Sequence, residues 1–281
     1  MSDTTSFSIF LDTDDDGAYH IKNAPGEIQR PTLIDRGDAL MVQADLLQVL
    51  HGTLTPTTEP ATLLITTFQF IPTRTSRRFR SALITMRFSS LGSLPFSDPE
   101  VIDIAPKGHF SLHPTTKKVE LTRAADISLH GGGGFATAGG GLKWEFKEAQ
   151  ETQDQTMLSG TIRLEGRDYG AKNTARWVLG ENSSQRTGIP TRLQTAVLLK
   201  RKEGQKTEKF QAVVEVKAEA AGVMDRMFGR VPKDDPVIFD PGAKPMAKDG
   251  LGADIDAKNL GVVDLKSLGQ VVKTMFLADE G

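Results

Sequence analysis

Apolar and polar residues alternate one by one along several stretches of this chain, and this two-residue period is the strongest constraint on its fold. Strands with one buried and one exposed face have this period, whereas amphipathic helices repeat every three or four residues. Turn-forming residues interrupt the alternation, with 27 glycines and 14 prolines in 281 residues. The sequence therefore predicts a β-rich α+β fold, an antiparallel twisted sheet with long amphipathic hairpins, few short helices and a C-terminal helical tail.

The longest alternation lies on both sides of a glycine-rich tract at residues 131–141. Each flanking segment is long enough, at about 9 to 11 residues, to cross a bilayer as one strand of a β-hairpin. An ordinary sheet with one wet face fits the same pattern equally well, so both interpretations stay open. The predicted apolar face of this hairpin consists of Val119, Leu121, Ile127, Leu129, Leu142, Trp144 and Phe146.

Other segments also predict strands. Residues 7–11 and 18–22 form one candidate hairpin, residues 38–50 fit a strand or a short helix, and residues 62–71 and 79–88 form a hairpin with a cationic tip. The basic residues at and near that tip are Arg74, Arg77, Arg78 and Arg80. Further strands are expected at residues 158–164, 174–179, 192–201 and 209–220.

The composition changes at residue 232, which predicts a body over residues 1–231 and a linker with a short tail over residues 232–281. Four prolines between residues 232 and 245 favour an extended, accessible chain. Asp264 can then cap a helix, because apolar residues recur behind it at helical spacing. They are Leu265, Leu268, Val271, Val272, Met275 and Phe276.

Composition argues against catalytic and metal chemistry. With no cysteine in the chain, disulfides, thiolate metal sites and cysteine nucleophiles are excluded, and a cytosolic location is favoured. A net charge of -2 gives no global attraction for nucleic acid. The acidic run at residues 12–16 lacks the Glu that closes a calcium loop, since Asn23 stands there, and His109 and His113 lie too far apart on a strand to share one metal. We expect no enzyme activity, no cofactor and no metal, although scattered residues could still converge into a hydrolase site.

Several short motifs carry a family resemblance. They are NTARWVLGEN at 173–182, GIP at 188–190, AVLLKR at 196–201, DDPVIFDP at 234–241 and NLGVVDL at 259–265. From about residue 119 to residue 281 the chain resembles fungal gasdermin-like proteins of regulated cell death and heterokaryon incompatibility. One departure is that residues 7–11 predict a strand where better-known gasdermins begin with a lipid-binding amphipathic helix.

The resemblance implies a cytoplasmic precursor that its C-terminal tail holds inactive. Loss of the tail to an activating protease, or assembly with a partner, would let the protein bind acidic phospholipids at the plasma membrane, form a homo-oligomer and perforate the membrane. Basic side chains at Arg74, Arg77, Arg78, Arg80, Lys117 and Lys118 would then contact lipid, and the cleavage and tail region would include Phe239, Leu265, Leu268, Val272 and Phe276. The alternative is a non-lytic β-sandwich that binds a ligand through its loops.

Overall fold

The computed structural model describes residues 21–37, 40–56, 59–72, 77–91, 98–125, 144–202, 208–220, 234–248 and 255–272, although the side chains of residues 112–154 and of residue 272 are outside this description. In these ranges the chain consists mainly of antiparallel strands arranged in two sheets. Helix is limited to a 3₁₀ segment and one short α-helix.

The first sheet, called sheet 1, contains seven strands. They are β1 (Thr32–Arg36), β2 (Leu40–Thr53), β3 (Pro60–Pro72), β5 (Glu100–Ala105), β9 (Arg192–Lys200), β12 (Met246–Ala247) and β13 (Gln270–Val272). The main path runs β1-β2-β3-β9-β13, while β12 also pairs with β2 and β5 also pairs with β9. Residues 40–53 are therefore a strand, which resolves the choice between strand and helix.

The second sheet, called sheet 2, has six strands in the order β11-β10-β4-β8-β7-β6. They are β4 (Phe79–Ser90), β6 (Gly108–Ala125), β7 (Trp144–Arg163), β8 (Thr174–Gly180), β10 (Phe210–Ala220) and β11 (Val237–Phe239). The inward residues of β4 match the predicted alternation, since Ala82, Ile84, Met86 and Phe88 are all buried.

The two sheets pack face to face around one hydrophobic core. Phe68 and Phe70 from sheet 1 meet Ile84 and Trp177 from sheet 2 in this core, and all four are almost completely buried. Close-packed inward faces of this kind are the main source of stability in a β-sandwich.

A second, smaller core lies on the opposite face of sheet 1. Leu63 of β3 and Leu198 of β9 are covered there by Leu260 and Leu265, which belong to the C-terminal segment. Strand β3 is consequently buried on both faces. This explains why four of the five residues at 61–65 are apolar, with Thr62 as the exception.

Two expectations about the chain path were wrong. Strands β3 and β4 do not form a hairpin, because β3 pairs with β2 and β9 while β4 pairs with β10 and β8. The chain crosses between the two sheets here, since both segments have apolar faces that must reach the shared core. Residues 237–239 and 246–247 are strands rather than an extended linker.

The prediction of a long C-terminal helix was also wrong. A 3₁₀ segment (Ala257–Val262) precedes helix α1 (Leu265–Leu268), and the chain then enters β13. Asp264 does cap α1, because its side chain accepts a hydrogen bond from the Lys266 N–H. The helix ends at Gly269, whose Cβ would lie 3.0 Å from the Ala105 side chain if one were present.

Candidate functional site

The β6 and β7 strands form a ribbon that extends beyond the rest of sheet 2. Their pairing runs from Gly108 opposite Gly160 to Ala125 opposite Trp144. Strand β8, however, pairs with β7 only from Met157 to Arg163. Residues 144–156 therefore have β6 as their single strand neighbour among the described residues, and about 45 Å of two-stranded ribbon projects from the sandwich.

The register of this ribbon tests whether the predicted apolar residues of β6 and those of β7 lie on the same face. Opposite residues of an antiparallel pair share a face, and the pairs are Val119 with Gln150, Leu121 with Glu148, Arg123 with Phe146 and Ala125 with Trp144. Val119, Leu121, Trp144 and Phe146 are thus placed on one face. Ile127, Leu129 and Leu142 lie outside the described residues.

The same register shows that this face is not purely apolar. Arg123, Glu148 and Gln150 share it, with Arg123 diagonal to Glu148, so opposite charges are neighbours by position. The other face is more polar, with Thr122 opposite Lys147 and Lys118 opposite Glu151 among its pairs.

Three of the six predicted basic residues, Arg77, Arg78 and Arg80, lie at the end of sheet 2 from which the ribbon projects. Gly180 of β8 is paired with Met157 on one side and Ser81 on the other, so Arg80 and Glu181 lie beyond that row at the base of the ribbon. Arg78 and Arg80 are both ion-paired with Glu181 there, at 2.8 and 3.4 Å. Arg74 lies outside the described residues, and Lys117 and Lys118 are placed only as strand positions in the ribbon.

Glu181 was not anticipated as part of this site. Its carboxylate is 8% exposed and also accepts a hydrogen bond from the Gly188 N–H. A single acidic residue after a predicted strand gives no sequence signal for such a role, since its partners are about one hundred residues earlier in the chain. Two arginines that could meet an anionic surface thus already have an internal counter-ion.

We expect Glu181→Gln to strengthen binding to anionic vesicles. Removing the carboxylate charge frees Arg78 and Arg80 to interact with lipid, and each cation near an anionic leaflet contributes on the order of 1 kcal/mol. Vesicle co-sedimentation should show an affinity gain of roughly fivefold or more. Glu219→Gln removes one negative charge from the same end of the sheet, where Glu219 is opposite Ser81, and serves as the control. Equal gains in both variants would contradict the role given to Glu181.

The predicted tail residues belong to two different places. Phe239 is 1% exposed and stacks on Phe210 inside the sandwich, so a protease cannot reach the Phe239 side chain in the folded protein. Leu265 is buried against sheet 1 and Leu268 packs beside it. Val272 pairs with Arg192 in β13, and Phe276 lies outside the described residues. The described tail therefore contacts β2, β5 and β9, which all belong to sheet 1.

Neither a metal centre nor a helical membrane span is found in the described ranges. Among those residues no group of three or more His, Asp or Glu side chains could hold an ion, and no helix is long and apolar enough to cross a bilayer. The acidic run at residues 12–16 lies outside them. Asn23 is engaged elsewhere, since its side chain donates to the Pro236 carbonyl and accepts from Arg30.

Comparisons with known proteins do not identify a family. No family model matches the chain, and no curated protein does. Among solved structures, Clostridium perfringens delta-toxin is similar over 78% of this chain and 92% of its own, with 12% identity and a TM-score of 0.29. The membrane-inserted form of the Clostridium perfringens NetB toxin is similar over 64% of this chain and 78% of its own, with 11% identity and a TM-score of 0.28. Scores of this size do not establish a shared fold, and the gasdermin resemblance stays a prediction.

Proposed function

We propose that this protein is the precursor of a membrane pore, which it forms by inserting the β6–β7 ribbon after several copies have assembled side by side. The observation that supports this function is the projection of the ribbon beyond β8, with Val119, Leu121, Trp144 and Phe146 on one face by register. A two-stranded ribbon without further strand neighbours is only marginally stable in water, so pairing with other strands would stabilise it.

Assembly must accompany insertion for a physical reason. An open strand edge cannot remain in hydrocarbon, because each unpaired backbone N–H and C=O costs several kcal/mol there. The ribbon has β6 running one way and β7 the other, so β7 of one copy placed beside β6 of the next continues an antiparallel sheet. Enough copies in a ring close this sheet into a barrel and leave no edge.

Acidic phospholipids are the surface that we propose for recruitment. Arg77, Arg78 and Arg80 are described at the end of sheet 2 from which the ribbon projects, and Arg74 is close to them in sequence. A ribbon that leaves the body at this end would bring the arginines toward the headgroups as it enters the bilayer.

The C-terminal segment is the element that we propose to regulate the change. Leu260 and Leu265 cover the outer face of sheet 1, and β13 adds a strand to β9. Displacement of this segment, by an activating protease or by partner assembly, would expose an apolar sheet face that neighbouring copies could then cover. Cell death would follow from perforation of the plasma membrane of the cell that makes the protein in its cytoplasm.

Leakage of a trapped dye from vesicles tests the proposed function. The full chain is compared with a chain that lacks residues 249–281, because a cut there keeps Phe239 and the strands β11 and β12 in place. We expect the shortened protein at micromolar concentration to release dye from vesicles with acidic lipid and the full chain to release less. Sealed vesicles with both proteins, bound or unbound, would end the proposal.

Trp144→Asp is expected to abolish leakage. An Asp at a lipid-facing position of a membrane strand costs less than the about 2 to 4 kcal/mol that Arg or Lys costs at the bilayer midplane, but every copy in the ring would carry this cost. Thr122→Asp places the same charge on the other face by register and should leave leakage within about twofold of the unmodified protein. Equal loss in both variants would show that the face of the ribbon does not determine insertion.

A non-lytic binding module is the second candidate, and a groove beside the tail favours it. The groove has a volume of about 480 Å³ and is lined partly by Leu54, Ile102, Leu198 and Val262. Apolar side chains share its walls with Thr55, Asp103 and Lys107, so it would take a small amphipathic ligand. This function predicts a protein that stays monomeric on vesicles and releases no dye after the tail is removed.

A further inference from the structure

Strand β10 has a long section whose outer edge has no partner strand among the described residues. Strand β11 pairs with β10 only from Phe210 opposite Phe239 to Ala212 opposite Val237. Beyond it, residues 213–219 pair with β4 on one side. Unpaired strand edges are templates for pairing with another chain, and proteins usually cover or interrupt them.

The backbone groups that face this edge can be assigned from two hydrogen bonds. The Phe88 N–H of β4 donates to the Asn173 carbonyl, away from β10, so Ala212, which is opposite Phe88, directs its own groups toward β11. The Ile238 carbonyl likewise accepts from Gln29 and points away from β10, which gives the same alternation. Val214, Val216 and Ala218 therefore direct their N–H and C=O groups to the open edge.

The exposed fraction of the inward residues of β10 rises where β11 ends. Ala212, next to β11, is 0% exposed, whereas Val214, Val216 and Ala218 are 9%, 6% and 7% exposed. These three face the core, so an added strand would complete the cover of the inner face. Charged residues occupy the outer face of the same section at Glu215, Lys217 and Glu219.

We propose that this edge pairs with the same edge of a second copy, antiparallel, around a two-fold axis at Val216. An axis perpendicular to the sheet keeps inward residues opposite inward residues, so it must pass through a residue rather than between two. Centring on Val216 places Glu215 opposite Lys217 twice and Val214 opposite Ala218 twice. It also uses residues 213–219 without displacing β11.

Neighbouring registers are worse because they bring like charges together. An axis at Lys217 places the two Lys217 side chains opposite each other and Glu215 opposite Glu219. An axis at Glu215 places the two Glu215 side chains opposite each other. Like charges directly across a strand pair are destabilising, whereas opposite charges contribute roughly 0.2 to 1 kcal/mol per pair. The favoured dimer joins two six-stranded sheets into one continuous sheet.

Single cysteines test both the contact and its register, because the chain has no cysteine of its own. Under mild oxidation, a mixture of Glu215→Cys and Lys217→Cys chains should form a disulfide-linked dimer, since these positions are opposite each other across the axis. Each variant alone should stay uncrosslinked. Crosslinking of either variant alone to the same extent as the mixture would overturn the register, and a mixture that does not crosslink would overturn the contact.

Charge reversal gives an independent measurement by sedimentation equilibrium. Glu215→Lys and Lys217→Glu should each raise the dimer dissociation constant about tenfold, because both symmetric pairs become repulsive. The double variant, Glu215→Lys with Lys217→Glu, should restore the original dissociation constant. A chain that stays monomeric at about 100 µM, on the order of a weak dimer's dissociation constant, would show that no such dimer forms. A dimer that none of these substitutions weakens would show that another surface is used.

Discussion

Replacing Gly52 with alanine should detach the C-terminal segment from sheet 1. A Cβ on Gly52 would lie 1.8 Å from the Ala257 carbonyl oxygen, and β2 cannot retreat because Gly52 is paired with Ala61 of β3. The 3₁₀ segment must therefore move, which removes the cover that Leu260 and Leu265 provide. Burying a leucine side chain is worth about 1.5 to 3 kcal/mol, so we expect unfolding stability to fall by about 3 to 5 kcal/mol.

Denaturant unfolding and limited proteolysis measure this effect together. In Gly52→Ala, bonds between residues 255 and 272 should be cut faster than in the unmodified chain, while the sandwich stays intact. Gly180→Ala is the matched control, because a Cβ at Gly180 meets only the tip of Met157, at 3.9 Å. Unchanged stability and unchanged proteolysis in Gly52→Ala would show that the segment accommodates the methyl group.

The same variant separates two parts of the proposed function. If the docked segment restrains the protein, Gly52→Ala should release dye from acidic vesicles without any truncation, and Gly180→Ala should not. Detachment without leakage would remove the regulatory role of the segment. It would leave the ribbon to be tested through Trp144.

The longer strands of the sandwich were predictable because each has a local signal, whereas the short strands β1, β5, β11 and β12 were not predicted. Alternation in β4 and β10 identified both strands and their inner faces, and turn residues gave the bounds of β8 and β9 within a few positions. The pairing partners were not predictable. Segments adjacent in sequence, such as β3 and β4, were expected to form a hairpin, but both carry a face that only the shared core can bury.

The prediction of a long helix in the C-terminal segment was wrong for a different reason. Leu265, Leu268, Val271 and Val272 recur at helical spacing, yet β13 forms from Gln270 onward because β9 offers it an edge. A tertiary partner thus outweighed local periodicity. The two strands of the ribbon were predictable, since alternation on both sides of the glycines is a local signal, and the glycine tract itself lies outside the described residues. The ion pairs of Glu181 depend on contacts distant in sequence and were not.

A partly buried histidine, His51, links the two sheets at one end of the sandwich. The Gln29 side-chain N–H donates to His51 Nε2 at 2.9 Å, so the His51 Nδ1–H donates to the Thr62 hydroxyl at 2.9 Å. The Gln29 backbone N–H donates to Ile238 of β11, and the His51 ring contacts Phe210 of β10 edge to face. Protonating Nε2 would therefore break the bond from Gln29 at a point where β2, β3, β10 and β11 meet.

Acid should destabilise the protein through this histidine. Burial, reinforced by the Arg201 charge, lowers the pKa of His51 from 6.5 to about 4, and the Asp240 carboxylate opposes this only in part. The unfolded chain binds the proton more readily, so the stability contribution is complete above pH 6.5 and is lost as the pH falls toward 4. The loss amounts to about 3 kcal/mol over this window.

Unfolding measured from pH 7 to 4 should show that loss reduced in His51→Gln but retained in the control His109→Gln, where the position is exposed. An equal pH dependence in His51→Gln would place the acid sensitivity in other groups.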